Sequence, residues 1–134
     1  MRNLFVLALI VVLSVKVASA QLTVNPNGAH AEFKWLSAET QDLGKVEQGK
    51  PVTITYEFIN TSKVPLIITN VKPSCGCTNP DYTKTPVLPN QKGYVKATFN
   101  AASAGSFSKT VTVSSNAVTE EKVLQFQGEV VAKN

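Results

Sequence analysis

The sequence predicts an all-β fold: an immunoglobulin-like antiparallel β-sandwich of about seven strands. Three observations lead there. Apolar and polar side chains alternate over short segments, the mark of a half-buried strand. These segments recur at roughly ten-residue spacing with turn residues between them, as in small sandwiches. No helical period occurs after the first twenty residues.

The strand pattern begins at Ala31. Ala31, Phe33 and Trp35 alternate with Glu32 and Lys34, giving a strand over Ala31 to Leu36. Thr40 to Gly44 is short and extended, and the polar run from Gly44 to Lys50 reads as a turn. Pro51 to Asn60 is the clearest strand: Val52, Ile54, Tyr56 and Phe58 share one face, and proline occupies its first position, where no ladder donor is needed. After the turn Asn60-Thr61-Ser62-Lys63, Leu66 to Val71 is apolar at both parities, as a strand buried on both faces would be. Thr78 to Lys92 is polar and carries Pro80, Pro86 and Pro89. It reads as a long connection with at most a short edge strand near Val87 and Leu88; loops of such length in a small domain are often functional or disordered, and this one is expected to form the contact surface beside the cysteines. Tyr94 to Asn100 places Val95, Ala97 and Phe99 inward, and Phe107 to Ser115 does the same with Phe107, Val111 and Val113. The last strand, Lys122 to Ala132, turns Leu124, Phe126, Val130 and Ala132 inward, with Gly128 at a bulge or a point of close packing.

The N-terminus is read as a targeting segment. Arg2 precedes an apolar run from Leu4 to Leu13, too short to span a bilayer, and Ala18-Ser19-Ala20 forms a small-x-small cleavage site. Residues 1–20 are therefore expected to be a signal peptide cut after Ala20, residues 21–30 a flexible leader around Asn25-Pro26-Asn27-Gly28, and residues 31–134 one sandwich domain. No stable membrane insertion is expected after cleavage, and the protein is expected in the periplasm or outside the cell. Cleavage removes Arg2 and Lys16, so the whole-chain charge of +4 falls to about +2. The remaining lysines are scattered and no arginine is left, which argues against a nucleic-acid partner.

Both cysteines of the chain lie in Ser74-Cys75-Gly76-Cys77-Thr78, the candidate functional motif. An exported chain meets conditions in which cysteine pairs persist. In a flat strand, residues i and i+2 lie ~6.6 Å apart, too far for a disulfide, whose Cβ atoms sit ~3.5–4.5 Å apart. A Cys75–Cys77 bridge therefore requires a kink, for which Gly76 offers backbone freedom. Such a small loop contributes only ~1.6 kcal/mol in the chain-entropy model, so it is a weak staple and a comparatively reducible bond. Four roles stay open: a structural corner, a thiol–disulfide redox site, a soft-metal site holding Cu(I) on Cys75 and Cys77, or an intermolecular bond. Lys72 is the one cation adjacent in sequence. A zinc site would need two further ligands, and His30 is the sole histidine. With Asp42 and Asp81 the only aspartates and no Gly-x-Ser-x-Gly, no nucleophile–base–orienter set can be assembled outside redox chemistry.

The motif also sits in a wider pattern. Ser74-Cys75-Gly76-Cys77-Thr78 is followed by Pro89 and Gly93, then Val95-x-Ala97-x-Phe99, Gly105-x-Phe107-x-Lys109 and Val113-x-Ser115-Asn116. Upstream stand Leu43-Gly44 and Tyr56-x-Phe58-x-Asn60. From Asp42 to Val131 this resembles the exported bacterial family called domain of unknown function 1573. Members often carry Pro-Gly where this chain has Pro89-Asn90. The resemblance implies a sandwich similar to major sperm protein and the periplasmic pilus chaperones, and assigns no function.

Together these features predict an exported, non-catalytic binding or structural module with no cofactor, whose partner is a protein or cell-envelope component. A thiol redox or Cu(I)-binding protein is the alternative. The sequence encodes no legible oligomeric state.

Overall fold

The computed structural model describes residues 30–117 and 121–134; the expected signal peptide and all of the leader before His30 lie outside the described residues. Eight strands form two four-stranded sheets. In chain order they are β1 (Phe33–Trp35), β2 (Thr40–Glu47), β3 (Val52–Asn60), β4 (Ile68–Pro73), β5 (Thr78–Tyr82), β6 (Lys92–Phe99), β7 (Gly105–Ser115) and β8 (Glu121–Val131). The first sheet has the order β1-β3-β6-β5 and the second β2-β8-β7-β4.

The inward side chains are those the alternation marks. Tyr56 and Phe58 of β3, Val95 of β6, Val111 of β7, and Leu124 and Phe126 of β8 are fully buried between the sheets. Phe33 and Trp35 stack on each other and meet Phe58 edge-on, closing one side of the core. Phe99, Phe107 and Phe126 close the other. Tyr56 reaches across the interior, and its hydroxyl donates to the carbonyl of Gln125 at 2.6 Å. Burial pushes that phenol up to about 12, because the anion would be stripped of water.

Four strand expectations need correction. β2 does not stop at Gly44 but continues to Glu47, and it pairs with β8 in parallel, so the second sheet is mixed. A register shift between Asp42 and Lys45 absorbs the irregularity, with Gly44 at φ 62°. Gly128 of β8 faces this bulge: a methyl group there would crowd the Gly44 carbonyl and the Phe107 ring. The strand expected at Leu66 to Val71 begins two residues later and is not buried on both faces. Ile67 is exposed and Leu66 instead bridges Val87. Ala132 is exposed, beyond the end of β8.

The fourth correction matters most for function. Thr78 to Lys92 is not a free loop. Its first five residues are β5, an edge strand on β6, where Pro80 is tolerated because one side of an edge strand needs no donor. The rest is tied down by Asn60. This fully buried side chain donates from Nδ2 to the carbonyls of Val64 and Val87, both at 2.8 Å, while its Oδ1 accepts from Ser62. The turn Leu88-Pro89-Asn90-Gln91 closes on a bond from Gln91 N to the Leu88 carbonyl, with Asn90 at φ 64°. Such a turn wants glycine or asparagine at its third position, so Pro89-Asn90 makes the same turn as the commoner Pro-Gly.

Candidate functional site

β4 and β5 are the last strands of their respective sheets, lie in contact on the same side of the sandwich, and are joined only by Ser74 to Cys77. The candidate motif is thus the corner where the chain leaves one sheet for the other. It is held at both ends. Ser74 N donates to the Thr110 carbonyl at 2.9 Å and Ser74 Oγ accepts from Thr110 N at 3.1 Å, so the serine prolongs the β4–β7 ladder by one residue. On the far side the Cys77 carbonyl accepts from Asn100 N at 3.0 Å, and Thr78 enters β5 opposite Phe99. Between these anchors the chain folds into a turn, with Thr78 N directed at the Cys75 carbonyl at 3.4 Å.

Cys75 and Cys77 are joined by a disulfide across this turn, with Cα atoms 5.3 Å apart. The kink demanded by strand geometry is therefore present, but Gly76 does not make it in the expected way. Gly76 lies outside the left-handed region and a methyl group on it would meet nothing within 4 Å. An ordinary turn brings the cysteines together. What glycine leaves is an uncovered, solvent-exposed face over the disulfide. Strained backbone lies nearby instead, at Ala101, which is fully buried at φ 50° one residue after Asn100.

The two sulfurs have different surroundings. Cys77 packs against the hydrophobic core. It also lines a shallow cleft of about 210 Å³ together with Phe99, Phe107, Asn100 and Lys109. Thr78 is buried, and its Oγ1 lies 3.9 Å from both Cys75 Sγ and Cys77 Sγ, with no other hydrogen-bond partner among the described residues. Thr78 belongs to the motif singled out in the sequence, whereas Lys109 is not legible there. Lys109 lies thirty-two residues beyond Cys77 and is brought to it only by β7, whereas Lys72, the neighbour in sequence, stands exposed on β4. His30 lines a different recess, with Thr69 and Asn116. Among the described residues no three His, Cys, Asp or Glu side chains converge as metal ligands.

The family model described as "Protein of unknown function (DUF1573)" matches residues 33–130, from the start of β1 to within one residue of the end of β8, and includes the disulfide corner. No curated protein matches the sequence. Among solved structures the chain is similar to a protein of unknown function from Porphyromonas gingivalis W83, with a TM-score of 0.63 and 14% identity over 76% of this chain and 47% of that one. It is similar to PapD-like domain 7 of human CEP192, with a TM-score of 0.57 and 12% identity over 78% of this chain and 87% of that one. It is also similar to the Vibrio cholerae VesB protease, with a TM-score of 0.59 and 13% identity over 75% of this chain and 32% of that one. At these identities the likeness is one of fold. The chain spans about half the length of the Porphyromonas protein and a third of the protease.

Proposed function

This chain belongs to the DUF1573 family of proteins of unknown function, and from that premise we propose that it is an exported, non-catalytic binding module that holds an extended segment of a cell-envelope protein against the free edge of β4. The observation that carries this reading is the state of that edge. Among the described residues β4 is laddered to β7 on one side and to no strand on the other. Both of its ends are pinned, by the Leu66–Val87 bridge and by the Ser74–Thr110 bonds. A rigid open edge offers backbone donors and acceptors in register, which is how strand addition recruits a peptide. Lys72 and Pro73 guard it against indiscriminate pairing. Export is supported by the N-terminal apolar run and its Ala18-Ser19-Ala20 site. A protein partner is favoured over nucleic acid by the dispersed lysines.

Site-specific photo-crosslinking in the producing cell tests the reading. A photoreactive residue at Asn70, exposed on β4, is expected to yield a discrete adduct with an envelope protein. The same residue at Thr55, exposed on the opposite sheet, is expected to yield none. Equal labelling from both positions, or none from Asn70, removes the β4 edge as the docking surface. N-terminal sequencing of the protein recovered from the envelope is expected to begin at Gln21.

A further inference from the structure

We propose that the Cys75–Cys77 disulfide is a two-electron acceptor for a dithiol on another exported protein, and that the Thr78 hydroxyl and Lys109 favour its reduced form. The inference goes beyond strand docking and does not depend on it. It stands on the surroundings of the two sulfurs. The Thr78 hydroxyl is buried and its sole partners among the described residues are two disulfide sulfurs, each at 3.9 Å. A disulfide sulfur is a poor acceptor, so this donor is barely satisfied while the bond is intact. A thiolate is a far better one, and charge-assisted hydrogen bonds are about twice as strong as neutral ones. Breaking the bond therefore turns a nearly unused buried donor into a used one. Lys109, lining the same cleft as Cys77, adds a cation that favours thiolate over thiol. A buried aliphatic side chain would serve a purely structural corner at Thr78 equally well, without an unspent hydroxyl.

Access defines the polarity of the reaction. The cleft opens onto Cys77, floored by Phe99 and Phe107, and the face above Gly76 is uncovered. A partner thiolate attacks Cys77 Sγ, the Cys75–Cys77 bond breaks, and Cys75 leaves as a thiolate within reach of Thr78. The partner's second thiol, losing its proton, then attacks the partner sulfur of the mixed disulfide and expels Cys77 as a thiolate. The partner ends with a disulfide and has lost two electrons and two protons. The Cys75–Cys77 pair has gained the electrons, and protonates from solvent to the extent that its two thiol pKa values require. A pair whose reduced form is stabilised is the more oxidising one, so the flow runs from partner to this chain.

Equilibration of the purified mature protein in glutathione buffers, read by alkylation and mass, tests the assignment. Wild type is expected to be reduced while folded. Thr78→Val, which keeps the volume and deletes the donor, is expected to shift the equilibrium roughly tenfold toward the disulfide, the effect of losing one hydrogen bond to a charged group. Thr78→Ser is expected to stay near wild type, and Lys109→Gln to shift in the same direction by about threefold, less in high salt. A folded wild type that resists reduction, or a Thr78→Val protein with the wild-type equilibrium, overturns the proposal. The polarity has its own readout. With a cysteine-containing peptide disulfide as probe, Cys75→Ser is expected to accumulate the mixed disulfide at Cys77 faster than Cys77→Ser does at Cys75, and the reverse order overturns the assignment of Cys77 as the attacked sulfur.

Discussion

Asn60 joins three pieces of chain through one buried amide: the end of β3, the turn at Ser62 to Val64, and the segment around Val87. Every polar atom of its side chain is used, so truncation takes one of two donors from each of the Val64 and Val87 carbonyls, which keep Ser62 Oγ and Leu66 N, and removes the acceptor that Ser62 uses. Asn60→Ala is expected to cost at least ~2 kcal/mol, measured as a lower urea midpoint with unchanged slope. Tyr56 presents the complementary case of one buried hydroxyl with one partner. Its phenol is raised from 10.0 to about 12 in the folded protein. A raised folded value means that stability is fully present below the unfolded pKa and is lost as pH rises through the folded one. Unfolding free energy is therefore expected to be insensitive to this group below about pH 10 and to fall between there and about pH 12. Tyr56→Phe is expected to lose ~0.5–1.5 kcal/mol at neutral pH and to flatten that alkaline slope, both readable from denaturant titrations at several pH values.

At the scale of elements, the two special turns differ in what they demand. Asn90 has positive φ and closes the turn that returns the chain to β6. Asn90→Gly is expected to leave the melting temperature unchanged or raised, whereas Asn90→Val is expected to cost ~1–2 kcal/mol, the penalty for forcing a branched residue into the left-handed region. The β2–β8 contact makes its demand through space. Gly128→Ala places a methyl against the Gly44 carbonyl and the Phe107 ring, and is expected to destabilise by ~1–3 kcal/mol through overpacking. Gly76 is the contrast: with open space and an unexceptional backbone, Gly76→Ala is expected to leave stability within about 0.5 kcal/mol of wild type. If glycine is kept there for access to the sulfurs, the same variant is expected to slow exchange with a bulky thiol more than with a small one, measured by the two rate constants.

For the whole molecule, stability resides in the interlocked core and not in the disulfide. Tyr56, Phe58, Leu66, Leu124 and Phe126 are fully buried, and each such side chain contributes on the order of 1.5–3 kcal/mol, against ~1.6 kcal/mol at most for so short a cross-link. Reductant is therefore expected to lower the unfolding free energy only slightly and to leave the far-ultraviolet circular dichroism unchanged. A core that does not depend on its one disulfide is what allows that disulfide to be cut and remade in the folded state. The similarity to PapD-like domain 7 of human CEP192, at 12% identity, fits the same picture: alternating burial can specify this sandwich with almost no shared residues.

Much of that sandwich is legible from the sequence alone. Period-two burial in β3, β6, β7 and β8 is local information, because alternate side chains of one strand must face opposite environments. The fold class and most of the core follow from it, as does the need for a kink at Cys-Gly-Cys, while the family resemblance rests on that motif and the residues spaced around it. What the chain order could not convey is the pairing of distant segments. β5 is polar and carries Pro80, and is a strand only because β6 supplies a ladder beside it. β2 runs parallel to β8, a pairing of segments some eighty residues apart. The corner itself changed most. Sequence proximity nominated Lys72 and a conformationally special Gly76, while the tertiary structure set Lys109 in the same cleft as Cys77, the Thr78 hydroxyl within 3.9 Å of both sulfurs and an ordinary turn between them. The strands carry their own burial code residue by residue, but the surroundings of a disulfide are assembled from whichever strands the packing brings to it.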